Sequence, residues 1–158
     1  LKGHIAVANT NLRFHFNGKL IDVLARKSLK KSGMDFEPGT GHGVGFFSNV
    51  HEGPQAISRG NKVKLKEGMI LSNEPGYYEN GKFGIRIENL VRVKKNKKGY
   101  LFDNLTMAPI DKSLINKRMM EKNEIVWLNK YHRNVLNNLK KFMNRSELLE
   151  LKLACSKI

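Results

Sequence analysis

What this 158-residue chain has little of narrows its reading first. Its single cysteine, Cys155, rules out an internal disulfide and fits a reducing compartment. No apolar run approaches the roughly eighteen residues of a membrane-crossing helix. The opening Leu1-Lys2-Gly3-His4-Ile5-Ala6-Val7-Ala8 has neither an initiating methionine nor the longer apolar stretch of a signal peptide. A cytoplasmic protein with no membrane partner is expected. Internal repeats and disordered linkers are also missing, and a hydrophobic content of 40% is that of a globular chain with a real core.

Carboxylates are the other shortage: 14 acidic residues stand against 29 basic ones, for a formal charge of +15. Clustered lysine and arginine would bind phosphates through counterion release. Here the excess is mostly lysine, is scattered, and travels with asparagines such as Asn9, Asn11, Asn17, Asn61, Asn137 and Asn138, the pairing an AT-rich genome produces. The densest cluster, Lys94-Lys95-Asn96-Lys97-Lys98-Gly99, falls where two strands should join. The charge therefore reads as a solvated basic surface, and no nucleic-acid partner is expected.

The periodicity changes character along the chain. Ile5-Ala6-Val7-Ala8 can end a helix, and Leu12-Arg13-Phe14-His15-Phe16 alternates like a short strand or loop. Leu20, Ile21, Val23, Leu24 and Leu29 recur at helical spacing, with Asn17 to cap the start and Gly33 to close the end. Met69 to Glu74 is a short apolar run ending in polar residues, Pro75-Gly76 breaks it, and Asn80-Gly81 offers a hairpin turn. Phe83 to Val93 reads as one strand, with Ile85, Ile87, Val91 and Val93 on one face and Arg86, Glu88 and Arg92 on the other. Tyr100-Leu101-Phe102 and Leu105-Thr106-Met107 read as short further strands, and a helical tail follows from about Asn123.

One stretch stands apart from the lysine-rich remainder: Gly39 to Pro54 is dense in glycine, free of lysine, and carries His42 and His51. Glycine lets backbone approach a ligand or another strand closely. Glu74 and Glu88 each follow an apolar run, where an unpaired carboxylate is costly to bury. A metal ion would compensate both, and His42 could add a nitrogen ligand to an oxygen-rich site suited to Mn²⁺, Co²⁺, Fe²⁺ or Zn²⁺. Arg86 can hold a neighbouring carboxylate ionised and oriented. The imidazole of His51 can hydrogen-bond substrate or move protons. The plainer alternative is that the glutamates belong to a solvated face and the histidines only cap turns; the spacing is not a self-sufficient metal motif. His4 and His15 have no spaced ligand partner and read as packing or surface residues.

The words Gly39-Thr40-Gly41-His42-Gly43-Val44-Gly45, Val50-His51-Glu52-Gly53-Pro54, Asn73-Glu74-Pro75-Gly76-Tyr77-Tyr78-Glu79 and Phe83-Gly84-Ile85-Arg86-Ile87-Glu88-Asn89 resemble aminopeptidase P, the Xaa-Pro aminopeptidases of the pita-bread metallopeptidase family. Leu1-Lys2-Gly3-His4-Ile5-Ala6, Leu105 to Asp111 and Trp127 to His132 look like its long-form members, so the resemblance covers essentially the whole chain. It implies an α+β fold: residues 1–109 as the C-terminal part of the catalytic domain, a curved antiparallel sheet with helices, and 110–158 as a helical C-terminal extension that contributes to homodimer contacts. It implies two divalent metal ions, usually Mn²⁺, with His42, Glu74 and Glu88 as three of five ligands and Arg86 beside them. It implies that His51 contacts substrate and assists proton transfer, that Glu74 accepts a proton, and that a hydroxide bridging the metals attacks peptides with proline in the second position.

Departures from the family pattern carry their own expectation. The two remaining ligands are aspartates preceding the position of Leu1, and Asp22, Asp35, Asp103 and Asp111 do not replace them. Pro38 stands where the family has a histidine, Lys30 where it has a tryptophan, and Leu12 to Phe16 replace a Phe-Pro-x-Gly-Thr loop. The chain on its own is accordingly expected to hold metal weakly and to be inactive. A non-catalytic pita-bread binding module and a degenerate remnant are the alternatives.

Overall fold

The computed structural model describes residues 1–11, 16–47, 49–97 and 99–158, and divides the chain into two compact units, Leu1–Thr106 and Met107–Ile158. The alternating segment Leu12 to Phe16, apart from Phe16, lies outside the described residues, as do His15 and Lys98 of the basic cluster.

The first unit opens with two helices, α1 (Lys2–Ala8) and α2 (Gly18–Lys30). The Asn17 side chain accepts from the Leu20 amide at the start of α2, and Gly33, at φ 71°, turns the chain away beyond its end. The buried stripe of α2 differs from the apolar one in the sequence. It consists of Ile21, Asp22, Ala25 and Arg26, while Leu20, Val23 and Leu24 are exposed. A charged pair thus occupies the face expected for leucines, and the reason lies in what it binds.

Among the described residues, seven antiparallel strands follow in three sheets. β1 (Gly41–His42) pairs with β2 (Ala56–Ile57); β3 (Ile70–Asn73), β6 (Asn89–Asn96) and β7 (Gly99–Asn104) lie in the order β3-β6-β7; β4 (Gly76–Glu79) pairs with β5 (Phe83–Arg86) across a turn holding Gly81 at φ 70°. The expected single strand from Phe83 to Val93 is interrupted at Ile87-Glu88, opposite the interruption at Glu74-Pro75, where proline has no N–H to give a ladder. Leu105-Thr106-Met107 is not a strand: the Leu90 amide donates to the Thr106 hydroxyl oxygen and the Leu105 amide donates to the Leu90 carbonyl, which ends the ladder. Val7, Ile21, Ala25, Ile57, Leu65, Leu71, Val91, Val93 and Phe102 form the core beneath these ladders.

The second unit is helical. α3 (Lys122–Leu139) and α4 (Arg145–Ala154) each start with a capping box, Glu121 with Glu124 and Asn144 with Glu147. Leu128 and Val135 are fully buried on α3. The segment before α3 is held to it by the Tyr131 hydroxyl, which donates to the Ala108 carbonyl at 2.6 Å, and by the Ile110 amide, which donates to His132 Nε2 at 3.1 Å. No described helix is long and apolar enough to cross a membrane.

Candidate metal centre

Strand register brings the two glutamates together. Asn73 pairs with Asn89 on one side of the double interruption and Gly76 with Arg86 on the other, so the register runs through unshifted and Glu74 lies directly opposite Glu88. Like charges at directly opposed positions of an antiparallel pair repel. Something positive is needed between them, and two groups approach.

The first is Arg86, on β5. One guanidinium nitrogen lies 3.4 Å from Glu74 Oε2, and Nε donates to the Tyr78 hydroxyl at 2.7 Å. That phenol bond, with the Glu74 and Glu88 charges behind it, keeps the Arg86 proton held more tightly than in a free guanidinium. The second is His42, at the end of β1. Its Nε2 lies 3.2 Å from Glu74 Oε1, and its Nδ1 lies 2.9 Å from the Gly43 carbonyl oxygen. A carbonyl can only accept, which assigns the ring proton to Nδ1 in a neutral imidazole. The Nε2 lone pair then faces a carboxylate lone pair, a contact that favours a proton or a metal cation between them.

His42, Glu74 and Glu88 each offer a donor atom within 4.8 Å of the other two, the one such group found among the described residues. One nitrogen and carboxylate oxygens at that spacing fit a divalent ion of intermediate hardness. His42 and Glu74 are half-buried and Glu88 is exposed, so the donors combine a fixed wall with an open side.

The backbone explains how His42 reaches β3. Its amide donates to the Ser72 hydroxyl at 2.9 Å, and that hydroxyl donates to Glu74 Oε1 at 2.8 Å, so one buried serine orients both donors. A Cβ at Gly41 would lie 2.0 Å from the Ser72 carbonyl oxygen, and one at Gly43 would lie 2.0 Å from the Glu52 carbonyl oxygen. Only glycine permits these approaches. His51 is exposed and its ring centroid lies 4.0 Å from that of His42, tilted by 55°. Pro38 is exposed; its carbonyl accepts from Arg26 at 2.7 Å.

The sequence-predicted residues His42, His51, Glu74, Arg86 and Glu88 are therefore neighbours, whereas His4 is fully buried behind β3, its carbonyl accepting from the Asn73 side chain at 3.0 Å. Ser72 and Tyr78 were not singled out from the sequence. A serine two residues before a glutamate on a strand shares its face, which is the only signal either offered.

Comparison with known proteins bears on the family and the fold. The profile of metallopeptidase family M24 matches residues 1–95, and that of the C-terminal region of peptidase M24 matches residues 98–158. A probable Xaa-Pro aminopeptidase P of Coprinopsis cinerea is 49% identical over 146 residues, covering 85% of this chain and 24% of that protein. Xaa-Pro aminopeptidase 1 of Dictyostelium discoideum is 46% identical, covering 85% of this chain and 23% of that protein. The X-prolyl aminopeptidase of Caenorhabditis elegans, described as a cytosolic enzyme with a di-nuclear active site, superposes with a TM-score of 0.90 at 40% identity, over 99% of this chain and 27% of that one. The chain thus spans about a quarter of the length of the curated relatives it matches.

Proposed function

The chain belongs to metallopeptidase family M24 and folds as the C-terminal part of its α+β pita-bread architecture, and from that premise we propose that it is part of a cytoplasmic Xaa-Pro aminopeptidase. The observation that carries the proposal is the meeting of His42, Glu74 and Glu88 across an unshifted register, two carboxylates that repel unless a cation joins them.

In this reading His42 Nε2 and the carboxylates of Glu74 and Glu88 hold metal, most suitably Mn²⁺ in a two-ion site. Such ions, when bound, lower the pKa of water to give a nucleophile at neutral pH and polarise the scissile carbonyl. Glu74 takes up a proton at a carboxylate oxygen as the attacking water loses it. Arg86, held by Tyr78, lies against Glu74 Oε2 and keeps that carboxylate aimed. His51, exposed beside His42, donates a hydrogen bond to substrate and passes a proton toward the leaving nitrogen of proline. Residues 1–109 serve as the C-terminal part of the catalytic domain, and 110–158 as a helical extension contributing to a homodimer. The substrate class is peptides with proline in the second position.

The described residues gather three donors, fewer than a two-ion site needs, so the chain alone should bind metal weakly and turn over negligibly. The test adds Mn²⁺ to the purified chain, measures binding by calorimetry, and assays release of the residue before proline. Measurable binding that His42→Ala and Glu74→Gln abolish, with negligible turnover, supports the reading. Absence of any binding, or turnover equal to that of a long-form relative, refutes it.

A further inference from the structure

The buried charged pair on α2 bears on this centre through a chain of hydrogen bonds. Arg26 is 2% exposed and Asp22 1%. Arg26 Nε donates to Asp22 Oδ2 at 2.8 Å, and its two terminal nitrogens donate to Asp35 Oδ1 at 2.9 Å, to the Phe36 carbonyl, and to the Pro38 carbonyl. The guanidinium also lies 3.8 Å from the centroid of the Phe36 ring. Arg59 closes the far side, donating to Asp35 Oδ2 and to the Phe36 carbonyl. One guanidinium thus fixes the whole segment from Asp35 to Pro38, which leads into Gly41-His42.

The other oxygen of Asp22 is engaged as well. Thr40, fully buried, donates its hydroxyl to Asp22 Oδ1 at 2.6 Å. Its backbone carbonyl accepts the Glu74 amide at 2.8 Å. Thr40 is therefore bound to α2 by its side chain and to a metal-donor candidate by its main chain, two residues before His42. A framework that merely filled space would not need both oxygens of a buried carboxylate engaged.

We infer that Arg26, Asp22 and Thr40 form a latch that positions Glu74 and His42 relative to one another, making Thr40 and Arg26 positioning residues of the metal centre. The consequence for metal affinity rests on the reading of His42, Glu74 and Glu88 as metal donors; the consequence for the Glu74 backbone does not. The latch acts before any ion binds, since each of its bonds is between protein groups. It also gives α2 its unexpected face: the pair is buried because it reaches the segment from Asp35 to Thr40.

Thr40→Val removes the hydroxyl at nearly constant volume, and Thr40→Ser retains it. On the full chain, amide hydrogen exchange at Glu74 should quicken by about tenfold or more in Thr40→Val, while Val93, whose amide is held by Met69 in the core, exchanges as in wild type. Affinity for Co²⁺, read from its visible absorption, should fall by about tenfold, and Thr40→Ser should restore both readouts. Asp22→Asn, which keeps the shape but loses the charge, should repeat the pattern. Unchanged exchange at Glu74, or equal quickening at Val93, overturns the latch. Absence of Co²⁺ binding by the wild-type chain overturns the metal reading instead, and the Glu74 amide then decides the latch by itself.

Discussion

Lowering the pH from 7.5 to 5 should destabilise the first unit by about 2 kcal/mol through His4 alone. The imidazole is fully buried on α1, and burial pulls its pKa from 6.5 down to about 4. A depressed folded-state pKa means that the unfolded chain takes the proton first. Above 6.5 both states are neutral at His4 and its stability is fully present; below 6.5 the unfolded state gains protons the folded state refuses; the loss reaches about 3 kcal/mol near pH 4 and levels off below it. At pH 5 the unfolded imidazole is mostly charged and the folded one mostly neutral, which accounts for most of the loss. Asp35 does not confuse the measurement: burial pushes its carboxyl up, but the hydrogen bonds from Arg26 and the Phe36 amide, with the charges of Arg26 and Arg59, together hold it below the ordinary range. The assay is urea unfolding followed by far-ultraviolet circular dichroism at the two pH values, in wild type and His4→Gln. Trp127, the only tryptophan, lies in the second unit, so its fluorescence does not report on His4. A wild-type stability equal at the two pH values, or a drop of the same size in His4→Gln, would refute the reasoning.

Two further outcomes can be checked directly. Cys155 is buried and burial pushes its thiol pKa up, against a smaller opposing pull from the Lys112 charge; an aromatic disulfide reagent should label it slowly in the native chain and at the rate of a free thiol in urea. Leu20, Val23 and Leu24 on α2, together with Phe46 and Phe47, are exposed apolar groups of a size that favours association; light scattering should show concentration-dependent growth that Leu20→Lys with Val23→Glu suppresses, and a clean monomer of the wild type at all concentrations would contradict this.

Much of the fold was legible because its signals are local. Asn17 and Gly33 bound α2 through a cap and a positive φ, and Gly81 turns the β4-β5 hairpin, each a property of one residue type. The alternation of Val91, Arg92 and Val93 survives as buried, exposed, buried. What failed depends on partners far along the chain. The strand expected from Phe83 to Val93 breaks at Ile87-Glu88 because its neighbour breaks at Glu74-Pro75, a constraint that periodicity does not carry. The α2 face was misread for a similar reason. Asp22 and Arg26, four apart, look like an exposed ion pair worth little, and only the Asp35–Thr40 segment, brought over them by the fold, turns them inward.

The candidate site divides along the same line, and Pro38 shows where. Its known part in the structure is its carbonyl, which Arg26 binds, and proline offers that acceptor as well as any residue. The latch therefore loses nothing when a histidine is replaced at this position. What proline cannot supply is an imidazole on the exposed side, four residues before His42. The bonds that set His42 and Glu74 do not involve the Pro38 side chain. Glycines at 41 and 43, by contrast, lie where any side chain would meet backbone oxygen, and both are present. The residues that fix the donor geometry, Gly41, Gly43 and Ser72, are thus all in place. A chain shaped this way should lose turnover before it loses the ability to gather a cation between Glu74 and Glu88.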